Sequence, residues 1–91
     1  MPIAFVLISA ETGIIGEVMI ELAKVGCVSE AHVVYGVYDI LVKVEGSTVQ
    51  EIKDVIMAEI ESLDHVEGTM ALLVAEPSQI QNITIPAVPT S

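Results

Sequence analysis

The stretch Val28–Glu45, VSEAHVVYGVYDILVKVE, decides how the rest of the chain is interpreted. Two runs rich in β-branched residues flank a short interruption, Tyr35-Gly36-Val37-Tyr38-Asp39, which carries a glycine and an aspartate. Two such runs joined by about three to five residues that include glycine are typical of a β-hairpin. The stretch therefore predicts two antiparallel strands, from Val28 to Tyr35 and from Ile40 to Glu45, joined by this turn.

A strand and a helix are predicted before the hairpin. The apolar run Ile3–Ser9 predicts a strand with apolar side chains on both faces. Apolar residues then recur from Ile15 to Leu22 with the spacing of an amphipathic helix. Thr12 is expected to cap this helix, and Gly26 is expected to end it in a left-handed conformation.

A second helix and a last strand are predicted after the hairpin. The segment Thr48-Val49-Gln50-Glu51 matches a capping box, in which threonine and glutamate satisfy exposed backbone donors. The helix is expected to run to about Ser62, and a strand is expected near Thr69 to Ala75. The order β-α-β-β-α-β predicts an α+β, ferredoxin-like fold with a four-stranded antiparallel sheet and two helices on one face.

The composition changes after Glu76, where proline, glutamine, asparagine, threonine and serine become common. We therefore predict one domain over residues 1–76 and a C-terminal tail over residues 77–91. Prolines argue against a long regular element in the tail, although Ile83 and Ile85 could form a short edge strand.

Hydrophobic residues make up 53% of this 91-residue chain, more than a domain of this size can bury alone. The run Ile3–Ile8 is far too short to span a membrane, and no basic residue precedes it as in a signal peptide. We therefore expect a cytoplasmic protein. Two helices cover one face of the sheet, so the second apolar face is predicted to pair with another copy in a homodimer.

The net charge is −10, from 13 acidic residues against 3 basic ones. Proteins that bind DNA or RNA use clustered lysine and arginine against the phosphates. We therefore exclude direct binding of nucleic acid.

Few residues suggest catalysis or metal binding. The chain has one cysteine, no histidine pair at metal-ligand spacing and no glycine-rich phosphate loop. His32 and His65 are expected to be structural or surface residues. We predict no enzyme activity, no cofactor and no metal site. The alternative is a small dimeric enzyme of the monooxygenase or isomerase type, which the scarcity of aromatic residues disfavours.

The turn between the hairpin strands is the best candidate site. It can be an ordinary turn, with Gly36 supplying a positive φ and Asp39 capping the backbone. It can also bind a ligand: Gly36 lets a carboxylate approach backbone N–H groups, while Asp39 pairs with an ammonium. Together these two groups would recognise a free amino acid.

The segment Ala31–Val44, AHVVYGVYDILVKV, resembles the Gly-x-Tyr-Asp hairpin of the Lrp/AsnC ligand-binding domain, also called the RAM domain. The segments Gly26-Cys27-Val28 and Leu63-Asp64-His65-Val66 are also similar to that family, as is Thr69. Ala71 stands where the family often carries a second threonine. No counterpart of the family's helix-turn-helix domain precedes Ile3, so the resemblance is to a stand-alone RAM domain.

The resemblance implies a ferredoxin-like fold, sheet-to-sheet dimers and rings of dimers, often octamers or decamers. It implies that an amino acid or related effector binds at contacts between dimers, with Gly36, Tyr38, Asp39 and Thr69 as effector contacts. The resulting hypothesis is an oligomeric sensor module that modulates transcription by joining full-length Lrp/AsnC regulators. A purely structural oligomer without a ligand is the other alternative.

Overall fold

A computed structural model of the chain describes residues 1–74 and confirms the α+β, ferredoxin-like fold. The chain forms four strands and two helices in the order β-α-β-β-α-β, the second helix ending in a π-helical segment. The elements are β1 (Ile3–Ala10), α1 (Ile15–Ala23), β2 (Val28–Val33), β3 (Ile40–Glu45), α2 (Val49–Val55) with its π-helical segment (Ile56–Ile60), and β4 (Val66–Leu73). The predicted tail and the predicted domain boundary at residue 76 lie outside the described residues.

The sheet has the strand order β2-β3-β1-β4, and every neighbouring pair is antiparallel. The first strand is therefore central and pairs with both β3 and β4. Val6, for example, lies opposite Val42 on one side and Ala71 on the other. The register between β1 and β4 shifts at Ser9 and Ala10, because β4 carries one extra residue, Glu67, at a bulge opposite them.

The core lies between one face of the sheet and the two helices. Alternate residues of β1 and β3 are buried because successive side chains of a strand point to opposite faces. They pack with the apolar stripes of both helices in one cluster, whose fully buried larger side chains are Val6, Ile8, Val18, Leu22, Ile40, Val42, Val44, Ile52 and Ile60.

The other face of the sheet, which we call the open face, is mainly apolar on β1 and β4 and also carries Lys43, which lies opposite Phe5. The strand register places Phe5 opposite Leu72 and Leu7 opposite Met70. Leu7 also lies opposite Leu41 of β3. None of these side chains belongs to the buried core. The apolar residues of the open face are Ile3, Phe5, Leu7, Leu41, Met70 and Leu72.

The start of α1 and its end differ from the prediction. The helix begins after Ile14, which makes no side-chain capping bond, so Thr12 is not its cap. Gly26 does not adopt a positive φ; Gly13, in the loop before the helix, has one of 89°. The last turn instead tightens, because the amides of Lys24 and Val25 donate to carbonyls three residues back.

The capping box of α2 is confirmed in part. Thr48 Oγ1 accepts a hydrogen bond from the Glu51 amide at 3.0 Å. The Glu51 carboxylate, however, accepts from the amide of Ser47 at 2.8 Å, one residue before the cap. The predicted helix changes to π geometry at Ile56, where the Glu61 amide donates to a carbonyl five residues back.

Two strand boundaries also differ. β2 ends at Val33 rather than Tyr35, because the next residues already belong to the turn. β4 begins at Val66 rather than Thr69 and ends at Leu73. Among residues 1–74, neither helix has the length and hydrophobicity needed to cross a bilayer.

Candidate functional site

The turn between β2 and β3 is anchored to the central strand. The Asp39 amide donates to the carbonyl of Ile8 at 2.8 Å, and the Val34 amide donates to the carbonyl of Asp39 at 2.8 Å. These two bonds close the turn at its base and attach it to β1. Residues 35–38 therefore project beyond the end of the sheet.

The tip of the turn is exposed and its base is half-buried. Tyr35 and Val37 are almost fully exposed, whereas Tyr38 and Asp39 are partly covered. Gly36 has a φ of 156°, a conformation that L side chains rarely adopt, and a Cβ at this position would meet no atom within 4 Å. The turn thus presents an accessible backbone at Gly36 beside two half-buried polar side chains.

The carboxylate of Asp39 holds the end of β1. Its Oδ2 accepts a hydrogen bond from the Ala10 amide at 2.9 Å, across 29 residues of sequence. Ala10 lies beyond the last pair of β1 with β3, which joins Ile8 and Ile40, so β3 offers its amide no ladder partner. Within residues 1–74, the other carboxylate oxygen, Oδ1, makes no hydrogen bond. Asp39 therefore combines a structural bond with a second acceptor that a ligand could use.

Thr69 lies apart from the turn. It pairs with Ile8 on the β4 side of β1, whereas the turn approaches from the β3 side. Two strand spacings, roughly 10 Å, separate the two positions. Thr69 lines a surface pocket of about 190 Å³, which we call the β4 pocket, together with Glu61, Val66, Glu67 and Gly68. Within one chain, Gly36, Tyr38 and Asp39 come together, and Thr69 does not join them.

A second polar cluster lies where β1 ends and β4 begins. His65 Nδ1 is 2.6 Å from Glu11 Oε2, and the Glu11 amide donates to the His65 carbonyl at 3.0 Å. His65 has a φ of 71°, in the left-handed region. The cluster borders a surface pocket of about 370 Å³ that is lined by Glu17, Val18, Glu21, Ser62, Leu63, Asp64 and His65.

The electrostatics of this cluster favour the charged imidazole. The hydrogen bond to Glu11 raises the pKa of His65 above its ordinary value of 6.5. The carboxylates of Asp64 and Glu17 act in the same direction. Burial opposes the rise but does not cancel it.

The remaining histidine belongs to an ionic group on β2 and β3. Glu30 accepts from His32 at 3.2 Å and contacts the Lys43 ammonium at 3.5 Å. The hydrogen bond from His32, followed by the charge of Lys43, lowers the pKa of Glu30. The side chains of His32 and Glu30 are exposed, so this cross-strand group contributes charge to the surface.

The part of the chain that the structure describes contains no group of three or more histidine, cysteine, aspartate or glutamate side chains that could hold a metal ion. Its buried side-chain polar atoms all have hydrogen-bond partners.

The sequence matches the family model of the Lrp/AsnC ligand-binding domain over residues 3–79. The chain belongs to this family. The match covers all described elements, including the turn and the β4 pocket. The family comprises regulatory ligand-binding domains, so the Lrp/AsnC domain described here is a module for sensing a ligand.

Several solved structures resemble this Lrp/AsnC domain. The structure of FFRP-DM1 is 35% identical with a TM-score of 0.79, and the match covers 82% of this chain and 100% of that one. TTHA0845 from Thermus thermophilus is 34% identical with a TM-score of 0.79, covering 84% of this chain and 95% of that one. No curated protein sequence matches the chain.

A more distant structure shares the fold alone. It is the Neisseria meningitidis transcriptional regulator NMB0573 in complex with L-Met, which is 14% identical with a TM-score of 0.74. The match covers 97% of this chain and 56% of the regulator.

Two features of the Lrp/AsnC domain have no signal in its sequence. The bond between Asp39 and Ala10 joins residues 29 positions apart, and the Glu11–His65 pair joins residues 54 positions apart. Glutamate and histidine are common surface residues, so neither stands out before the sheet brings them together. The motif Leu63–Val66 marks the segment without indicating the pair.

Proposed function

We propose that this Lrp/AsnC domain is an oligomeric sensor module that binds a free amino acid at the turn formed by residues 35–39. The observation that carries the proposal is the arrangement of this turn. An accessible backbone at Gly36 lies three residues from the half-buried carboxylate of Asp39, whose Oδ1 is available. A carboxylate would bind the backbone N–H groups, and an ammonium would bind Asp39.

The family supports the same ligand class. The NMB0573 regulator, which shares the fold, was crystallised with L-Met, an amino acid. Thr69 would then act as a fourth contact from a different copy, because it lies on the far side of β1 from the turn. A ligand bound between copies would meet the turn of one chain and the β4 pocket of another.

Self-association through the open face is the second part of the proposal. Six apolar side chains form this face, and both helices pack on the other side of the sheet. A twofold-related copy would cover them with an identical face. We propose that such dimers join further into rings of eight or ten chains through the exposed turns.

The proposed role in the cell is regulatory. The net charge of −10 opposes direct contact with nucleic acid. The module would instead act in the cytoplasm by co-assembling with full-length Lrp/AsnC regulators through the same faces. Native mass spectrometry of this chain mixed with such a regulator from the same organism tests this role; mixed oligomers are expected, and separate homo-oligomers contradict it.

Thermal denaturation against the 20 common amino acids tests ligand binding. A ligand at a hundredfold excess over its Kd stabilises the folded state by about 2.7 kcal/mol. For a domain of this size that corresponds to a rise in Tm of roughly 10 to 20 °C. One or two amino acids are expected to give such a shift. A flat panel contradicts amino-acid binding and favours a structural oligomer.

A pair of variants tests the assignment of Asp39. Asp39→Asn removes the charge but keeps an oxygen that can accept from Ala10, so the turn is expected to persist. The loss of a charge-assisted bond weakens effector binding by roughly 10- to 150-fold. Asp54→Asn, which removes the same charge from α2, is the matched control and is expected to bind as the native protein does. Equal affinity in all three proteins contradicts the assignment.

A further inference from the structure

The end of β1 is held from both sides by two sets of bonds. On the β3 side, the Asp39 amide binds the Ile8 carbonyl, and its carboxylate binds the Ala10 amide. On the β4 side, the Glu11 amide binds the His65 carbonyl, and the Glu11 carboxylate binds the His65 ring. Asp39 and His65 thus form hydrogen bonds with the same short segment of backbone at the end of β1.

The two sets of hydrogen bonds involve consecutive backbone amides. The Asp39 carboxylate accepts from the Ala10 N–H, and the His65 carbonyl accepts from the Glu11 N–H, so the two bonds lie on neighbouring residues. Because peptide groups are planar and rigid, rotation at Ala10 moves the Glu11 amide directly. The ladder between β1 and β3 ends at Ile8, so on that side the Asp39 carboxylate takes the place of a strand partner for the Ala10 amide.

The backbone conformation of His65 depends on the groups that contact it. His65 is the one residue other than glycine with a positive φ in the part of the chain described. Such a conformation persists when surrounding contacts determine it. The charged groups that face His65 are all acidic: Glu11 from the loop after β1, Glu17 and Glu21 from α1, and Asp64 from the loop before β4.

We propose that Asp39 is a positioning residue for the Glu11–His65 pair. Its carboxylate sets the backbone of Ala10, and this setting places Glu11 within bonding distance of the imidazole. The turn and the cluster at the start of β4 therefore form one coupled unit across the end of β1.

A regulatory consequence follows, and it rests on the proposed function. An ammonium group that draws the Asp39 carboxylate away from Ala10 would release the backbone that carries Glu11. Effector binding would then weaken the Glu11–His65 pair, and by reciprocity protonation of His65 would weaken effector binding. The β4 pocket, whose lining includes Val66, the residue after His65, would then change with the occupancy of the turn.

The coupling can be measured without any ligand, so its failure is distinguishable from a failure of amino-acid binding. The chain has two histidines, and the ring protons of His65 can be followed separately by NMR. In Asp39→Ala the titration midpoint of His65 is expected to fall toward 6.5. The Glu11 amide is expected to exchange with solvent roughly 3- to 10-fold faster.

Asp39→Asn is the matched control because its side-chain oxygen can still accept from Ala10. It is expected to keep the native midpoint of His65 and the native exchange of Glu11. An unchanged midpoint in Asp39→Ala overturns the proposal. Equal shifts in both variants also overturn it, since they would report the lost charge rather than the lost position.

A second measurement, made on the native protein, tests the coupling if Asp39→Ala does not fold. The exchange protection of the Ala10 amide is followed through the titration of His65. Protection that falls as the imidazole loses its proton supports the coupling. Protection of Ala10 that is independent of the His65 titration overturns it.

Discussion

Truncation of Leu72 gives a direct measure of the pairing of open faces. Leu72 is 52% exposed in the single chain and lies opposite Phe5. Full burial of a leucine side chain contributes about 1.5–3 kcal/mol, so burial of the exposed half contributes about half of that per copy. A twofold interface contains the residue twice. Leu72→Ala is therefore expected to cost about 1.5–3 kcal/mol per dimer, a 10- to 150-fold rise in the dimer Kd.

Sedimentation velocity over a concentration series measures this Kd. Ile20→Ala is the matched control, because Ile20 is a similarly large apolar residue, 60% exposed, on α1 rather than on the sheet. It is expected to leave the dimer Kd within twofold of the native value. The reasoning is refuted if Leu72→Ala dimerises as the native protein does, or if Ile20→Ala weakens the dimer equally.

Two further predictions concern stability. Thr48→Ala removes the oxygen that caps α2 and is expected to lower the free energy of unfolding by about 1 kcal/mol in urea denaturation, while Thr48→Ser restores most of it; no loss in the alanine variant would contradict the cap. The Glu11–His65 pair raises the pKa of His65, so its stabilisation is complete below pH 6.5 and is lost as the pH rises through the folded-state pKa. His65→Gln is therefore expected to differ in Tm from the native protein most at low pH, and a difference independent of pH would contradict this.

The fold could be predicted from the sequence because its patterns agree with one topology. The apolar run Ile3–Ser9, the β-branched run Ile40–Glu45 and the helical stripe from Ile15 to Leu22 each lie on an observed element. The errors lie at the ends of elements, where a glycine or threonine is compatible with several local conformations. Gly26 shows this well: the helix before it ends with tightened hydrogen bonds and needs no left-handed residue.

The candidate site was less predictable. The turn from Tyr35 to Asp39 is visible in the sequence because glycine and aspartate have strong local preferences. The bond from Asp39 to Ala10 is not visible, since its two residues are 29 positions apart and meet only when β3 pairs with β1. The same holds for Glu11 and His65, which meet only when β4 adds to the sheet beside β1. Local chemistry predicts turns, and long-range pairing determines what they contact.

The central place of β1 has a consequence for how the chain folds as it is synthesised. β1 precedes the other strands in the sequence but cannot pair until its neighbours, β3 and β4, have been synthesised. Until β3 has emerged from the ribosome, an apolar strand with two unpaired edges is exposed, and β4 adds more than 50 residues after β1 ends. Non-local pairing of this kind slows folding and exposes edges to aggregation. The acidic charge of the nascent chain would keep such intermediates apart.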